Sequence, residues 1–239
     1  MRHAWLLVVL AACKPGTGED YPINPGGDDT GDFRPMVDAP MADQALGDSS
    51  ALITGRVCLL ADLRAPTVCA GTGAGNITVQ LGNVTTLTAD DGMFSLVSPG
   101  GTNLVWRVGA VGLVTSAVPF STSNILPVID AAYYDDMITT NGVILNSGEG
   151  SIVLFVRDAL GPLAGASVTV TPTATYLPMH DTANRNVWVT GDTGQFGVSW
   201  TPGATAGTAV VTVTPPSGSA QQASLPIIDG AITYTTVAF

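Results

Sequence analysis

The chain has 239 residues, a length that permits one large domain or two small ones. Its 8 Lys and Arg residues are outnumbered by 19 Asp and Glu residues, so the formal net charge is −11 at pH 7. Binding to a nucleic-acid backbone needs clustered Lys and Arg, and this balance argues against that class of function. Charged residues make up only 11% of the chain. Thr, Val, Ala and Gly are abundant instead, and this composition is typical of an all-β protein outside the cytoplasm.

At the N-terminus, a short apolar segment follows Arg2 and ends at a cysteine. Residues 4–12 form a segment of about nine residues, whereas a membrane-spanning helix takes about 20. The segment is therefore too short to span a membrane as a helix and is typical of the apolar core of a signal peptide. The stretch Leu10-Ala11-Ala12-Cys13 resembles the lipobox of bacterial lipoproteins. That resemblance implies a signal peptide over residues 1–12, cleavage before Cys13 and acylation of Cys13, which would hold the protein at a membrane. The alternative is a buried N-terminal strand or helix of a cytoplasmic protein.

Residue 14 is Lys. In lipoproteins of this kind an Asp at that position tends to retain the product at the inner membrane, so the resemblance favours the outer membrane, on its periplasmic or its surface face. Residues 14–50 hold eight acidic residues and 11 Gly and Pro residues. With few apolar side chains to offset ordering entropy, residues 13–50 are predicted to form a lipidated, disordered, acidic tether. Asp28, Asp29 and Asp32 lack the spacing of a calcium loop, so a solvated spacer is favoured there.

Two cysteines remain once Cys13 is assigned to the lipid. Because an even number of cysteines in an exported protein indicates disulfide bonding, these two predict one disulfide, between Cys58 and Cys69. It would close the loop 59–68 and stabilise the fold by about 3 kcal/mol in the chain-entropy model. The alternative, a redox or metal-binding pair, lacks both the C-x-x-C spacing and a nearby histidine.

From Ala51 onward, a series of short motifs occurs twice in the same order, with corresponding motifs 90 to 103 residues apart. The motifs of the first copy are Ile53–Val57, Ala74–Val79, Asp90–Phe94, Ser98–Gly100 and Leu126–Asp130, and those of the second are Ile152–Asp158, Ala164–Val170, Asp192–Phe196, Thr201–Gly203 and Leu225–Asp229. A period this long indicates two tandem domains, predicted at 51–147 and 148–239.

Within each copy, apolar and polar residues alternate over short segments separated by Gly, Pro, Asn and Asp, which predicts antiparallel strands and no helix. Trp106 and Trp200 lie on such apolar faces and are predicted core residues. At the shared turns, Gly92 and Gly194 are expected to supply a positive φ. The fold class predicted is all-β, with two tandem antiparallel β-sandwiches, prealbumin-like or Ig-like, after the disordered tether.

The motifs of the second copy carry a family resemblance. Pro162 to Val170, the D-x-G-x-F motif ending at Phe196 and the following Pro-Gly turn resemble a carboxypeptidase regulatory-like domain, which is a transthyretin-like seven-stranded sandwich. Ala206 to Val213 is also similar to bacterial Ig-like repeats of the invasin type. The first copy departs from the pattern, because it lacks the Pro-Leu before Ala74 and carries the cysteine loop instead. Both resemblances imply a fold without catalytic residues of its own, and the choice between them stays open.

Few residues suggest chemistry. After cleavage one histidine remains, His180, so two-histidine zinc motifs are excluded, and no catalytic residue, metal ligand or cofactor is predicted. A catalytic triad would have to use His180, but no G-x-S-x-G motif is present and His180 is predicted to lie on a polar loop. The insert from Tyr176 to Asn186, with Trp188 beside it, is the candidate recognition loop, with Tyr176, His180 and Trp188 as its possible ligand-binding residues.

Together these features predict a non-enzymatic, membrane-anchored bacterial lipoprotein with a structural, adhesive or binding role. Its expected partners are the membrane, through the lipid, and a cell-envelope protein or polysaccharide. The main alternative is a carbohydrate- or peptide-binding accessory lipoprotein of a transport or degradation system that uses the Tyr176 and Trp188 loop. An enzymatic alternative depends on His180 alone.

Overall fold

A computed structural model describes residues 51–66, 68–70, 74–120 and 124–239. The predicted signal peptide, Cys13 and the tether lie outside these residues. The described part is almost entirely β-structure, which confirms the predicted all-β class. Its strands are β1 Leu52–Leu60, β2 Thr78–Leu81, β3 Val84–Leu87, β4 Met93–Val97, β5 Val105–Gly109, β6 Leu113–Val114, β7 Ser116–Pro119, β8 Ile125–Asp130, β9 Glu149–Asp158, β10 Gly161–Pro162, β11 Ser167–Thr171, β12 Met179–Asp181, β13 Trp188–Thr190, β14 Val198–Thr205, β15 Gly207–Thr214, β16 Gln221–Ile227 and β17 Ile232–Ala238, and its helix is α1 Ala131–Thr140.

The first copy of the repeat forms two facing layers. One is the sheet β4-β1-β8-β6, and the other is the strand series β3-β2-β5-β7. Alternation explains the inner face: along β4 the side chains of Phe94 and Leu96 are buried while their neighbours are exposed. They pack with Val79, Trp106 and Leu126 in one apolar cluster.

The second copy is built the same way. Its layers are the strand series β13-β12-β14-β9-β17 and the sheet β11-β15-β16. Between them, Ile152, Leu154, Val168, Val211 and Leu225 belong to one buried cluster. Strand β9 is buried on both faces, because Val153 and Trp200, on the opposite side of this layer, belong to a different cluster.

The strand order shows that the fold itself is repeated. In each copy the lead strand lies between an antiparallel and a parallel neighbour: β1 between β4 and β8, and β9 between β14 and β17. The second layers correspond as β2-β5-β7 and β11-β15-β16. One predicted motif pair is therefore wrong: Leu126–Asp130 lies in β8, whereas Leu225–Asp229 covers the end of β16, whose counterpart is β7. The predicted boundary between 147 and 148 stays a prediction.

The two sandwiches are joined to each other. Strand β7 of the first copy pairs in parallel with β17 of the second through Ile232–Ser116 and Thr233–Ala117, which creates one ten-stranded sheet. A third apolar cluster draws on both copies. Among its buried members are Cys58, Leu60 and Ile129 from the first copy and Val153, Trp188, Val198, Trp200, Ile232 and Tyr234 from the second.

A helix lies between the copies, and the prediction of no helix is wrong at this point. Helix α1 begins after Asp130, whose side chain accepts hydrogen bonds from the backbone N–H groups of Ala132 and Tyr133 at 2.9 and 3.2 Å. Tyr134 and Met137, three residues apart, are the buried face and pack into the shared cluster. Burial raises the pKa of Tyr134 to about 12, and its hydroxyl hydrogen-bonds Ser151 of β9.

The two shared turns use glycine for different reasons. Gly92 has the expected positive φ, +81°, and Asp91 caps its turn by accepting from the Met93 N–H at 2.9 Å. Gly194 does not have a positive φ, so that expectation is wrong. A Cβ there would overlap the Asp181 carbonyl oxygen, so Gly194 is required for space.

Candidate functional site

The disulfide loop of the first copy reaches the second copy. Cys58 and Cys69 are bonded, with their Cα atoms 4.9 Å apart, so the predicted disulfide is confirmed. The residues between them lead the chain away from β1 and back to an isolated bridge between Leu60 and Cys69. This loop presents Arg64 to the second copy.

Arg64 connects residues that are 118 positions apart. Its guanidinium group forms a two-point ion pair with Asp62, with Nε–Oδ1 and Nη2–Oδ2 distances of 3.0 and 2.6 Å. Its Nη1 donates to the carbonyl oxygens of Thr182 and Ala183 at 2.8 and 2.7 Å. The group also lies over the Phe196 ring, 4.8 Å from its centroid. Burial tends to raise the pKa of Asp62, but the hydrogen bonds and charge of Arg64 outweigh burial and hold that pKa below its ordinary value.

The predicted recognition loop lies against the first copy and α1 along its length; we call residues 176–188 the clamp segment. At its start, the Tyr176 hydroxyl accepts a hydrogen bond from the Ile144 N–H at 2.8 Å. Near its end, Asn141 donates to the Asn186 carbonyl and accepts from the Trp188 N–H, both at 2.8 Å. These hydrogen bonds join Asn141 and Ile144, which precede the second copy, to the clamp segment within it. They therefore help to hold the two copies together.

Further contacts of the clamp segment involve Arg185. Its guanidinium carbon lies 5.1 Å from the centroid of the Tyr133 ring, and its Nη1 donates to the Ala61 carbonyl at 3.3 Å. The clamp segment therefore contacts both the disulfide loop and α1.

The prediction that His180 lies on a polar loop is wrong. His180 is fully buried in β12. Neither of its ring nitrogens has a hydrogen-bond partner among the described residues. Burial lowers the pKa of His180, and the charges of Asp192 and Asp181 oppose this only in part. Asp181 is occupied elsewhere, since its carboxylate accepts from the Phe196 and Val198 N–H groups at 2.9 and 2.8 Å. This arrangement does not present His180 to a substrate.

Trp188 is also inside the protein. Only 5% of its surface is exposed, and its ring meets that of Trp200 edge to face at a centroid distance of 5.8 Å. Trp106 and Trp200 are fully buried, as predicted. Of the three possible ligand-binding residues, Tyr176 alone is partly exposed, and its hydroxyl is bonded to Ile144. The structure thus brings these three residues into or against the core, and ligand binding by them stays a prediction.

Between the copies lies a cleft of about 720 Å³ that no sequence motif indicated. This volume is within the range of about 300–1,000 Å³ typical of ligand pockets. Its lining is mainly apolar and includes Val118, Ile125, Phe155 and Tyr234. The Phe155 and Tyr234 rings are stacked at 6.2 Å with an interplanar angle of 17°. The one signal in the sequence is Pro119, a proline inside a strand pattern, which marks a place where strand pairing ends.

The charge of the cleft is positive. Arg64 and Arg157 line it, and none of its described lining residues is acidic. The donors of Arg64 are used by Asp62 and the clamp segment, whereas the side chain of Arg157 is exposed. The described lining therefore offers an apolar surface with one exposed cation, in a protein that is acidic as a whole.

Within the described residues, no group of three or more His, Cys, Asp or Glu side chains is placed to hold a metal ion. The helix in that part of the chain is not long and apolar enough to cross a membrane.

No protein-family model matches the chain, and no curated protein is significantly similar to it. Solved structures that share a general likeness include the minor pilin GBS52 of Streptococcus agalactiae, at 13% identity, covering 79% of this chain and 95% of that one, with a TM-score of 0.29. The TIE protein of Bacillus anthracis is 12% identical, with 79% and 34% covered and a TM-score of 0.27. The shaft pilin SpaA of Lactobacillus rhamnosus GG is 9% identical, with 78% and 96% covered and a TM-score of 0.25. Identities and TM-scores this low do not identify a family.

Proposed function

We propose that this chain is a non-enzymatic lipoprotein of the bacterial cell envelope, in which two joined β-sandwiches serve a structural or adhesive role. The observation that carries the proposal is the union of the two repeats. A ten-stranded sheet runs through both, and a buried cluster draws on both. Arg64 and the clamp segment add polar contacts on the same boundary. Such a body keeps a fixed shape, which suits a part that is displayed and that binds or spaces other components.

In this proposal the lipid is attached at Cys13, and residues 14–50 are the spacer between the membrane and the folded part. Support comes from the Leu10-Ala11-Ala12-Cys13 pattern and from the acidic, Gly- and Pro-rich composition of the spacer. Lys14 favours placement at the outer membrane, on its periplasmic or surface face.

The anchor is tested by expressing the full chain in a Gram-negative host and measuring the intact mass of the product. We expect a product that begins at Cys13, carries acyl chains and fractionates with membranes. The matched variant Cys13→Ala should lose the acyl mass and the membrane association. A product that retains residues 1–12 and carries no fatty acid would show that the proposed anchor is wrong.

The adhesive role is tested by displaying the full chain on cells and measuring their retention under flow on envelope polysaccharides and on envelope proteins. Retention should exceed that of cells producing Cys13→Ala, because an unanchored protein cannot hold the cell. Equal retention of both strains on every surface would leave only a structural role.

A second candidate function, peptide binding as an accessory lipoprotein, is favoured by the cleft. It is apolar, has the volume of a ligand site and carries an exposed arginine. The carbohydrate-binding form of this alternative is less well supported, because the Trp188 ring on which it depends is buried. A glycan array distinguishes the two forms, since only the carbohydrate-binding form predicts a positive signal.

A further inference from the structure

The large sheet splits at the cleft. Strands β7 and β17 pair only at Ile232–Ser116 and Thr233–Ala117. Beyond that point β17 continues beside β9 as far as Ala238, paired with Arg157. Strand β7 instead stays with β5, through Val105–Pro119. Among the described residues, no strand therefore pairs with this edge of β17 from Tyr234 onward.

Backbone directions along β17 show which groups this edge presents. The Ile232 N–H donates to the Thr115 carbonyl at 2.9 Å, on the β7 side, and the Phe239 N–H donates to the Arg157 carbonyl at 3.0 Å, on the β9 side. Because successive residues of a strand direct their N–H and C=O groups to opposite sides, Tyr234 and Thr236 direct theirs away from β9. Their side lies open towards the cleft, which both residues line.

Pro119 explains why the pairing stops. On β7, the even-numbered residues face β5, since the Phe120 N–H donates to the Leu104 carbonyl at 2.8 Å. Pro119 therefore faces β17, where an ordinary residue would donate its N–H to the next free carbonyl, that of Tyr234. Proline has no N–H, so the ladder ends at this residue and the strands separate.

As far as the described residues show, the cleft thus combines an unpaired strand edge, an apolar lining and one exposed cation. A peptide strand laid along β17 would gain main-chain hydrogen bonds at Thr236 and the Tyr234 carbonyl. Alternate side chains of that strand would face the stacked Phe155 and Tyr234 rings. A carboxylate on the strand would meet Arg157, whose charge no acidic residue of the described cleft lining offsets.

We propose that this cleft binds an extended peptide segment of a partner protein, with alternating apolar side chains and one Asp or Glu, as an added strand on β17. The inference rests on the binding role proposed above and names the site and the class of partner. The free edge runs from Tyr234 to Val237, because the Ala238 carbonyl accepts from the Gln221 side chain at 2.8 Å, and it has room for about four residues of such a strand.

The test selects peptides of about 12 residues, long enough to cover the edge, from a random phage-displayed library on the immobilised full chain. Enriched peptides are synthesised and their affinity is measured by fluorescence anisotropy. We expect alternating apolar residues and an acidic residue in the enriched sequences. Failure to enrich such peptides, or enrichment of peptides without either feature, would overturn the proposal.

The decisive variants alter one backbone group. Thr236→Pro removes an N–H that faces the cleft and leaves the β9 ladder intact, whereas Thr236→Val keeps that N–H and the branched side chain. We expect about a tenfold or greater loss of peptide affinity for Thr236→Pro and less than about a twofold change for Thr236→Val. Equal affinity of both variants would overturn strand addition. Should Thr236→Pro fail to fold, N-methylation of the peptide at alternate residues asks the same question of the unaltered protein.

Two further experiments identify what binds in the cleft. Arg157→Gln should weaken acidic peptides and leave their Asn or Gln analogues unchanged. A synthetic peptide covering residues 14–50 that displaces the selected peptides, or self-association that Thr236→Pro abolishes in sedimentation velocity, would overturn a foreign partner in favour of this chain's own segment or a second copy. Membrane anchoring through Cys13 is measured separately, so loss of peptide binding with acylation intact refutes this inference and not the proposed envelope role.

Discussion

Arg64 supports the boundary between the repeats through an ion pair, two backbone carbonyls and an aromatic ring, and its side chain is 13% exposed. Replacement of Arg64 by Met keeps the apolar stem over Phe196 but removes every hydrogen bond of the guanidinium group. The Asp62 carboxylate then loses its ion-pair partner and keeps the hydrogen bond from the backbone N–H of residue 64. We expect the free energy of unfolding to fall by about 1–3 kcal/mol, since hydrogen bonds to charged groups are worth about that much. Urea denaturation followed by circular dichroism measures the change.

The matched control is Arg107→Met, at an exposed arginine of β5, which should change stability by less than about 0.5 kcal/mol. The contribution of Asp62 also has a pH dependence of known sign. Because its pKa is lowered by folding, the stabilisation is fully present above the ordinary Asp pKa of about 3.9 and is lost as the pH falls through the lower folded value. Equal losses in the two variants, or a loss independent of pH in this range, would contradict the role given to Arg64.

His180 gives the folded protein a second pH dependence. Its pKa is lowered by burial, so the unfolded chain binds the proton more tightly. The stabilisation is therefore present above the unfolded pKa of about 6.5 and is lost progressively as the pH falls below it. His180→Asn keeps a polar side chain but cannot titrate, so we expect the unfolding free energy of this variant to change less with pH below about pH 6.5. Urea denaturation at a series of pH values measures both slopes.

The other histidine, His3, belongs to the predicted signal peptide, so it does not confuse the comparison in the mature protein. An exposed site offers a control, because Gln222→His adds a histidine on the edge strand β16 and should leave the slope of the parent protein unchanged. A wild-type slope in His180→Asn would show that His180 is not the titrating group.

Single residues also show which features could be predicted from the sequence. The Cys58–Cys69 disulfide was predictable because it needs only a count of cysteines and an exported chain. The positions of His180 and Trp188 were not, because nothing in the segment around them has a strand period. Trp188 packs in the cluster shared by the two copies, and α1 and the disulfide loop contact the clamp segment from distant parts of the sequence.

Among the elements, α1 is held at its first turn by Asp130. Asp130→Ala removes the acceptor of two backbone N–H groups and should lower the free energy of unfolding by about 0.5–2 kcal/mol. Because Tyr134 and Met137 of this helix lie in the shared cluster, the loss should appear in the global transition measured in urea. Asp135→Ala, an exposed position of the same helix, is the control and should have an effect below about 0.5 kcal/mol. A similar loss from both changes would mean that the cap is unimportant.

The helix was hard to predict for a physical reason. It has only 10 residues, and its two buried side chains give too short a pattern for a helical period. Its ends did carry signals, with Asp130 as a cap at the start and Asn141-Gly142 after the end. Strand β9 is buried on both faces, whereas the sequence identified its residues 152–158 only as a repeated motif.

At the scale of the whole molecule, the sequence supports a duplicated sandwich but not the way in which the copies are joined. Repeated motifs identify the lead strands and turns, because each is a local pattern. The pairing of β7 with β17 and the cluster shared by Leu60, Trp200 and Tyr234 depend on the arrangement of the copies in space. A tandem pair linked only by a flexible connection would have given the same motifs.

The joined structure predicts that the two repeats unfold together. Val79→Ala alters the core of the first repeat and Val211→Ala that of the second, and both valines are fully buried. Each change should cost about 2 kcal/mol. In differential scanning calorimetry we expect one transition in every protein, lowered to a similar extent by either change, because a shared sheet and core couple the repeats. The fluorescence of Trp106, in the first core, and of Trp200, in the shared core, should report the same midpoint when observed in single-tryptophan variants. Two transitions, each moved by only one of the valine substitutions, would show instead that the repeats are independent domains.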